Sequence, residues 1–390
     1  MSNSFIIRVL QLLGLAAGIL STAATVRAEE EIVIGGSIPI TGVFSFAGVN
    51  IHAGIGDYVK LVNDQGGVMG RKVRYVYEDT GYKADASVAA FKKLTSQNPV
   101  HLYYGDSTAF SKIINPELNR TESILMTGAS FATEINDPRK YPYQFMVGPD
   151  YQAMFALLLK YIAREKPNAT VAFVYSDSEF GRDPIEENKK TVANLGLKLV
   201  AEVITPPGSV DVSTEVLKLR RADPDYTIFH GYVLAPIPEF ISLARKMGMQ
   251  SQFMGTFWSM DKNNIMKMGE DADGFLGIMP YRYSDDASAD APMLEKIRQI
   301  RPGYQSTTYL QGFVAAMLLL ECAKRTLEAD QELNAKNLKA AFNSIKNFDT
   351  GGIIGVPVTV KSNSIPVGRI YKADLKNGKM VPVSDWLTTE

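Results

Sequence analysis

Tyr103-Tyr104-Gly105-Asp106-Ser107-Thr108-Ala109 is the stretch on which the fold turns. An apolar run, Val100 to Tyr104, breaks at a glycine; hydroxyl residues follow, then a helix-like segment containing Ile113 and Ile114. The next apolar run, Ser123 to Met126, ends the same way, in Thr127-Gly128-Ala129-Ser130. Two neighbouring strands thereby bring hydroxyls and backbone N–H groups to their C-terminal ends. In an open parallel α/β sheet that edge is where small ligands bind. The expected structure here is the floor of a small-molecule cleft.

Outward from this stretch, short apolar runs alternate with helix-period segments. Ile32 to Gly35 reads as a strand, Pro39 to Gly48 as a loop, and Ile51, Ile55, Tyr58, Val59 and Val62 as one face of a helix. Gly66 and Gly67 suit that helix's C-terminal cap. Val73 to Tyr77 is a strand and Ala84 to Leu94 a helix. This βαβα order calls for a parallel sheet covered by helices on both faces. Pro138 to Pro149, rich in proline and tyrosine, marks a boundary, after which the pattern restarts. Strands are expected at Thr170 to Tyr175, Leu197 to Ile204, Tyr226 to His230 and Phe253 to Phe257. Helices lie between them, one with Pro184 in its first turn and Gly196 after its end. Asp285 to Asp290 is a second crossing. Thr307 to Leu327 is the longest helix, apolar all round from Phe313 to Leu320, so it belongs inside a core. The last stretch reads as short strands and turns, including Val356 to Val360 and Arg369 to Ala373.

The length of 390 residues accommodates two domains with full cores. Forty-one basic against 42 acidic residues leave a net charge of −1, so neither nucleic acid nor an anionic membrane surface is implied as a partner. The N-terminus carries Arg8, an apolar core from Val9 to Leu20, small residues, and Val26-Arg27-Ala28 before three glutamates. That is a secretory signal with cleavage expected after Ala28. A single cysteine, Cys322, lies in an apolar run and reads as a buried structural thiol.

Catalytic chemistry finds no support. The three histidines, His52, His101 and His230, have no metal spacing among them, and only His230, at a strand end, is a candidate to line a cleft. Gly105-Asp106-Ser107 lacks the late histidine base that a hydrolase needs. There is no phosphate-binding glycine loop, and Asp271-Ala272-Asp273-Gly274 is too short for a calcium loop. No cofactor and no metal are expected. What remains is binding, with hydroxyls and amides at strand ends favouring a carboxylate. Aromatic residues recur just past strand ends: Phe44 and Phe46, Phe180, Tyr232, and Phe257-Trp258.

At this point the chain resembles the type I periplasmic solute-binding proteins of the leucine/isoleucine/valine class. The resemblance rests on Ile34 to Gly42, Gly66 to Arg71, Phe180-Gly181, Ala244 to Gly248 and Phe253-Met254-Gly255, in the family's order. It implies two Rossmann-like α/β lobes with parallel sheets, joined by a three-strand hinge and closing on a ligand. It also implies delivery of that ligand to a membrane ABC permease, a periplasmic location and a monomer. The expected division is a signal peptide at 1–28, one lobe from 29–149 with 281–354, and another from 150–280 with 355–390. Carried over by position, the carboxylate-holding cluster falls on Ser107 and Thr108, and a second segment on Ala129 and Ser130. Phe46, Phe180, Tyr232, Phe257 and Trp258 become the walls.

One departure matters. Amino-acid-binding members carry a glutamate after Phe-Met-Gly that pairs with the ligand ammonium, whereas here Gly255-Thr256-Phe257-Trp258 has no acid. An unpaired buried ammonium costs several kcal/mol. The leading expectation is therefore a small, mostly apolar carboxylate, aromatic or branched-chain-like. The alternative is an amino acid or amide with Asp106 as the ammonium partner. For Asp106 three roles stand open: it points away, it caps the following helix, or it recognises an amine or hydroxyl. A reading of another class is a secreted ligand-sensor module.

Overall fold

The computed structural model describes residues 31–206 and 208–389; the signal peptide expected at 1–28 lies outside them. Two sheets organise the chain. The first has the order β2-β1-β3-β4, all parallel, from β1 (Ile32–Ile38), β2 (Val73–Asp79), β3 (Val100–Gly105) and β4 (Leu125–Gly128). β1 is buried at every position, as its unbroken Ile-Val-Ile start requires of a strand covered on both faces. The chain places β2 on one side of β1 and β3 on the other. The C-terminal ends of β1 and β3 therefore flank a crevice where the winding reverses.

The second sheet repeats the device. β5 (Thr170–Ser176), β6 (Lys198–Thr205), β7 (Tyr226–His230), β8 (Gln252–Gly255) and β9 (Leu276–Met279) are parallel in the order β9-β8-β7-β5-β6. β10 (Val367–Asp374) then joins antiparallel to β9, and β11 (Lys379–Pro382) and β12 (Leu387–Thr388) pair antiparallel with β10. The sequence led us to expect parallel sheets; this one is mixed, because the chain returns to it from the far side after a long excursion.

That excursion is the helix Thr307–Glu328, which leaves the second sheet and packs along the helix Ser45–Asp64 beside the first. It is buried without interruption from Thr307 to Leu320, as its all-round apolarity demands. Two glycines allow the contact. A Cβ on Gly54 would lie 2.1 Å from the Tyr309 carbonyl oxygen, and one on Gly312 would lie 2.4 Å from that of Ile51. The helix backbones touch where any side chain would separate them. Among the described residues no helix is long and apolar enough to cross a membrane.

Several local expectations are corrected. The strand expected at Phe253 to Phe257 stops at Gly255, and Phe257–Ser259 turns into a 3-10 segment. Val356 to Val360 is not a strand: it makes one bridge, Phe348 to Val358, and Pro357 has no N–H to extend a ladder. β9 and the helices Pro292–Ile300 and Ala335–Asn343 were not anticipated. Cys322 is fully buried, and burial drives its thiol pKa well up, as befits an inert core residue.

Gly54→Ala is expected to destabilise the protein by about 1–3 kcal/mol, the usual cost of overpacking. Gly56, on the same helix but with open space at its Cβ position, supplies the control. Gly56→Ala should be neutral or stabilising by up to about 1 kcal/mol through helix propensity. Urea unfolding of both variants checks the pair, and equal effects would refute the close crossing.

Candidate functional site

The ends of β1, β3 and β4 in one lobe face the ends of β5 and β8 in the other, leaving about 340 Å³ of space between the lining atoms, counting the part that opens to solvent. On the first side, β3 stops at Gly105 and Ser107 caps the helix Thr108–Thr121, accepting a hydrogen bond from the Phe110 N–H at 3.1 Å. Thr108, the first helical residue, pairs its hydroxyl with that of Ser130 at 2.9 Å, and Ser130 Oγ accepts from the Ala132 N–H. The Ala129 N–H donates to the Gly105 carbonyl at 2.8 Å, locking the two strand ends together. Ser107, Thr108 and Ala129 line the cavity at the positive end of a helix.

Asp106 lies between strand and cap, 2% exposed. Its Oδ2 accepts from Thr80 Oγ1 at 2.5 Å and from Ser87 Oγ at 2.8 Å, whereas Oδ1 has no hydrogen-bond partner. Burial raises its pKa above the ordinary carboxylate value, and the hydroxyls of Thr80, Ser87 and Ser107 oppose the rise. Two of the roles left open by the sequence are thereby answered: the cap is Ser107, and Asp106 lines the cavity.

Above the floor, the loops after β1 and β2 are clasped by Asp79. It accepts from the Thr41 N–H, the Thr41 hydroxyl and the Gly81 N–H at 3.1, 2.8 and 3.0 Å. Gly42 has a φ of +85° and runs so close to Gly81 that a Cβ would lie 2.5 Å from its carbonyl oxygen. The clasp brings the Phe44 and Tyr82 rings to 4.1 Å between centroids, and both rings line the cavity.

The facing wall is aromatic. Tyr151 begins the helix Tyr151–Glu165, and its hydroxyl accepts from Trp258 Nε1 at 3.0 Å. Phe180, in the short turn after β5, sits 5.0 Å from the Tyr151 ring. Behind both lies His230, 1% exposed, so it does not form the cavity surface that its strand-end position allowed. Its Nε2 lies 3.0 Å from the Phe180 carbonyl oxygen, which can only accept, so Nε2 carries the proton and Nδ1 accepts from Thr256 Oγ1 at 2.8 Å. Burial lowers its pKa to about 3, and the ring stays neutral.

The two sides also meet beside the cavity. Asp183, following the Phe180 turn, accepts from the Thr133 N–H and, at 2.6 Å, from the Thr133 hydroxyl; burial pushes its pKa up to about 6. Lys112 bridges Glu134 and Glu179 at 3.2 and 2.8 Å.

Of the residues singled out from sequence, Asp106, Ser107, Thr108, Ala129, Phe180 and Trp258 line this cavity. Four do not. Ser130 stands one step back, behind Thr108. Phe46 is one residue out of phase: Phe44, Ala47 and Ile51 share the cavity-facing side, and Phe46 points about 100° away from Ala47. The Tyr232 hydroxyl is held by Thr205 at 2.8 Å, and Phe257 is fully buried against Phe131 and Tyr281 beneath Trp258. Tyr82 and Tyr151 were missed. Tyr82 follows a strand end, so the same signal could have found it; Tyr151 follows Asp150, whose side chain caps the helix that Tyr151 begins, and a helix start alone gives no signal of a site. Among the described residues, Asp106 is the one acidic or basic side chain on the cavity wall, and no group of metal-binding residues occurs.

A family model described as periplasmic binding protein matches residues 31–379. The leucine-, isoleucine-, valine-, threonine- and alanine-binding protein of Pseudomonas aeruginosa is 24% identical over 330 residues, 83% of this chain and 86% of that protein. A branched-chain amino acid ABC transporter structure from Thermus thermophilus with bound valine superposes with a TM-score of 0.84 at 24% identity, covering 92% of this chain and 97% of the other. A solute-binding protein of an ABC transporter from Rhodopseudomonas palustris, in complex with 3,4-dihydroxybenzoic acid, superposes with a TM-score of 0.77 at 18% identity over 92% and 98% of the two chains.

Because His230 is neutral when folded and titrates near 6.5 when exposed, the unfolded chain binds the extra proton between pH 6.5 and 3. The stability His230 supplies is complete above 6.5 and falls by up to about 1.4 kcal/mol per pH unit as acid is added. His230→Gln should flatten that fall. Urea midpoints of both proteins at pH 7 and pH 5 check it, and parallel losses would contradict a neutral buried ring.

Proposed function

The chain belongs to the periplasmic binding protein family, and we propose that it is the solute-binding component of an ABC-type importer, taking a small, largely apolar carboxylate into the cleft. The family's work is binding, not catalysis. The observation that carries the ligand reading is the N-terminus of the helix Thr108–Thr121, with Ser107, Thr108 and Ala129, opening into a cavity whose remaining wall, Asp106 apart, is aromatic and aliphatic. Helix N-termini offer unpaired N–H groups and partial positive charge, a natural seat for a carboxylate. The rings of Phe44, Tyr151, Phe180 and Trp258 suit an apolar body. The ligands named for the relatives above, aliphatic amino acids in two and dihydroxybenzoic acid in the third, are likewise carboxylic acids on a compact carbon frame.

Closure follows from the division of the wall. We assign residues 29–149 with 281–354 to the lobe that carries the carboxylate seat, and 150–280 with 355–390 to the lobe that carries Tyr151, Phe180 and Trp258. A ligand touching both stabilises the closed arrangement, which a permease can then recognise. Burying a leucine-sized body contributes about 1.5–3 kcal/mol, comparable to one hydrogen bond to a charged group. Neither end dominates, so removing either should be measurable. The protein is expected to act as a monomer in the periplasm.

Thr108→Val should weaken binding of a carboxylate ligand by roughly ten- to a hundredfold, the equivalent of one charge-assisted hydrogen bond. Titration calorimetry with a panel of aliphatic and aromatic acids, each beside its methyl ester, makes the check. Esters that bind as tightly as their acids would remove the carboxylate from the reading.

A further inference from the structure

Beside the cavity, one carboxylate reaches from the second sheet to the first. Asp183 follows the Phe180 turn after β5, and Thr133 belongs to the loop that leaves β4. The Thr133 N–H donates to both Asp183 oxygens, at 3.2 Å to Oδ1 and 3.0 Å to Oδ2, and its hydroxyl donates to Oδ2 at 2.6 Å. The same hydroxyl accepts from the Gln152 N–H at 3.3 Å. Neither Asp183 nor Thr133 lines the cavity. The ion pair beside it, Lys112 with Glu179, leaves the Glu179 side chain 61% exposed, where water and salt screen the attraction. Asp183, partly buried, makes the more sheltered of the two links.

The surroundings of Asp183 do not favour its charge. Its donors, the N–H and hydroxyl of one threonine, are neutral. Lys112, on the helix Thr108–Thr121, is the cation that acts on it, and Lys112 is already bridged to Glu134 and Glu179. Asp150, capping the helix Tyr151–Glu165, adds a like charge. Tyr141 and Tyr151 feel the Asp183 charge as phenols that burial keeps protonated. On its own segment, Arg182 pairs with Asp177, and Glu186 and Glu187 of the helix Ile185–Asn194 are exposed and pair with Lys189 and Lys190. Burial against the Thr133 loop outweighs the hydrogen bonds, which is why the carboxyl pKa stands at about 6 instead of the ordinary 3.8.

We propose that Asp183 and Thr133 form a proton-linked latch between the lobes: closure takes up a proton at Asp183, so mild acid favours the closed form and tightens ligand binding from outside the cavity. This rests on the lobe assignment and the closure argued above, and it adds a residue that sets affinity without touching the ligand. With the lobes apart, Asp183 returns to water and to its ordinary pKa. Between pH 6 and 3.8 the closed form then holds a proton that the open form does not, so closure gains as pH falls through 6. Well above pH 6 both forms are ionised, and this residue gives closure no pH dependence. A protonated Asp183 still accepts from the Thr133 N–H through its carbonyl oxygen, so the contact survives the titration.

The test measures the distance between nitroxide spin labels on the purified chain without added ligand. The labels sit at Lys92→Cys and Lys218→Cys, exposed positions on the helices Ala84–Gln97 and Ser213–Ala222, one in each lobe. Cys322 is fully buried and takes no label. Two distances are expected, and the closed-to-open ratio should rise about tenfold from pH 7.5 to pH 5. Burial raises the pKa of Asp150 as well, so the variants, not the bare profile, identify the group. Asp183→Asn, which resembles the protonated acid, should remove the pH dependence and hold the ratio at pH 7.5 near the value of the unaltered chain at pH 5. Thr133→Val removes a bond to the ionised oxygen, so the midpoint should move to higher pH, and Thr133→Ser should restore it. A contact with only a structural role would instead change the ratio equally at every pH. Two distances with a ratio indifferent to pH, or a pH dependence that persists in Asp183→Asn, overturn the latch and leave closure standing. A single distance under all conditions overturns the latch together with the closure it rests on.

Discussion

The contact between the helices Ser45–Asp64 and Thr307–Glu328 is the constraint on which the site depends. It joins segments about 250 residues apart at backbone distance, possible because Gly54 and Gly312 leave no side chain between them. The first helix presents Ala47 and Ile51 to the cavity. The second sends Gln311 under the floor, where its Oε1 accepts from the Tyr104 hydroxyl and its Nε2 donates to the Gly128 carbonyl at 2.8 Å. The ends of β3 and β4 are thus braced from beneath by a residue from late in the chain. The same helix is tied to the opposite lobe at its start, where Asp261 accepts from the Tyr304 hydroxyl and approaches the Thr307 N–H. One helix therefore anchors the floor and borders the connection between the lobes.

Buried carboxylates elsewhere show by contrast what is unusual about Asp106. Asp150 caps the helix Tyr151–Glu165 and accepts from the Asn136 amide; Asp261 caps Lys262–Lys267; Asp183 accepts from Thr133. Burial raises the pKa of each, and hydrogen bonds from backbone or side chains offset part of the rise. None of these three has an orphaned oxygen among the buried atoms, and none lines the cavity. Asp106 has the same burial but leaves Oδ1 without a partner, and it alone of the four lines the cavity.

The architecture was legible because parallel strands buried on both faces must be continuous apolar runs, and such runs stand out between helix-period segments. The strand-end rule reached Ser107, Thr108, Phe180 and Trp258 without any knowledge of tertiary contacts. It failed where side-chain direction decides. Phe44 and Phe46 differ by a fraction of a helical turn, and only the true helix start at Ser45 tells which ring faces inward. Tyr232 and Phe257 follow strands as Phe180 does, but a hydroxyl partner claims one and a ring cluster buries the other. β9 and the antiparallel return of β10 escaped because Leu276–Met279 is too short to announce itself and its partner lies some 90 residues later. The orphaned Oδ1 of Asp106 could not be read at all, since it is defined by what Thr80, just after β2, and Ser87, in the helix Ala84–Gln97, do with Oδ2.

On the proposed reading, recognition and closure are carried by different lobes. The carboxylate of the ligand meets the floor of Ser107, Thr108 and Ala129, whose geometry is fixed by hydrogen bonds within the first lobe. The second lobe brings Tyr151, Phe180 and Trp258, a wall held by the Trp258–Tyr151 bond and by neutral His230 behind it. It also brings Asp183 to Thr133 and Glu179 to Lys112, contacts that join the lobes without touching the cavity. An apolar wall gains from any body that fills it, at about 25 cal/mol for each Å² buried, and discriminates weakly among bodies of similar size. Hydrogen-bonding groups at the floor discriminate strongly, because a ligand lacking the matching group leaves them unpaired in a buried place. Head-group specificity therefore belongs to the floor and tolerance of different side chains to the wall, so a change of preferred side chain can evolve at the aromatic positions without rebuilding the polar seat.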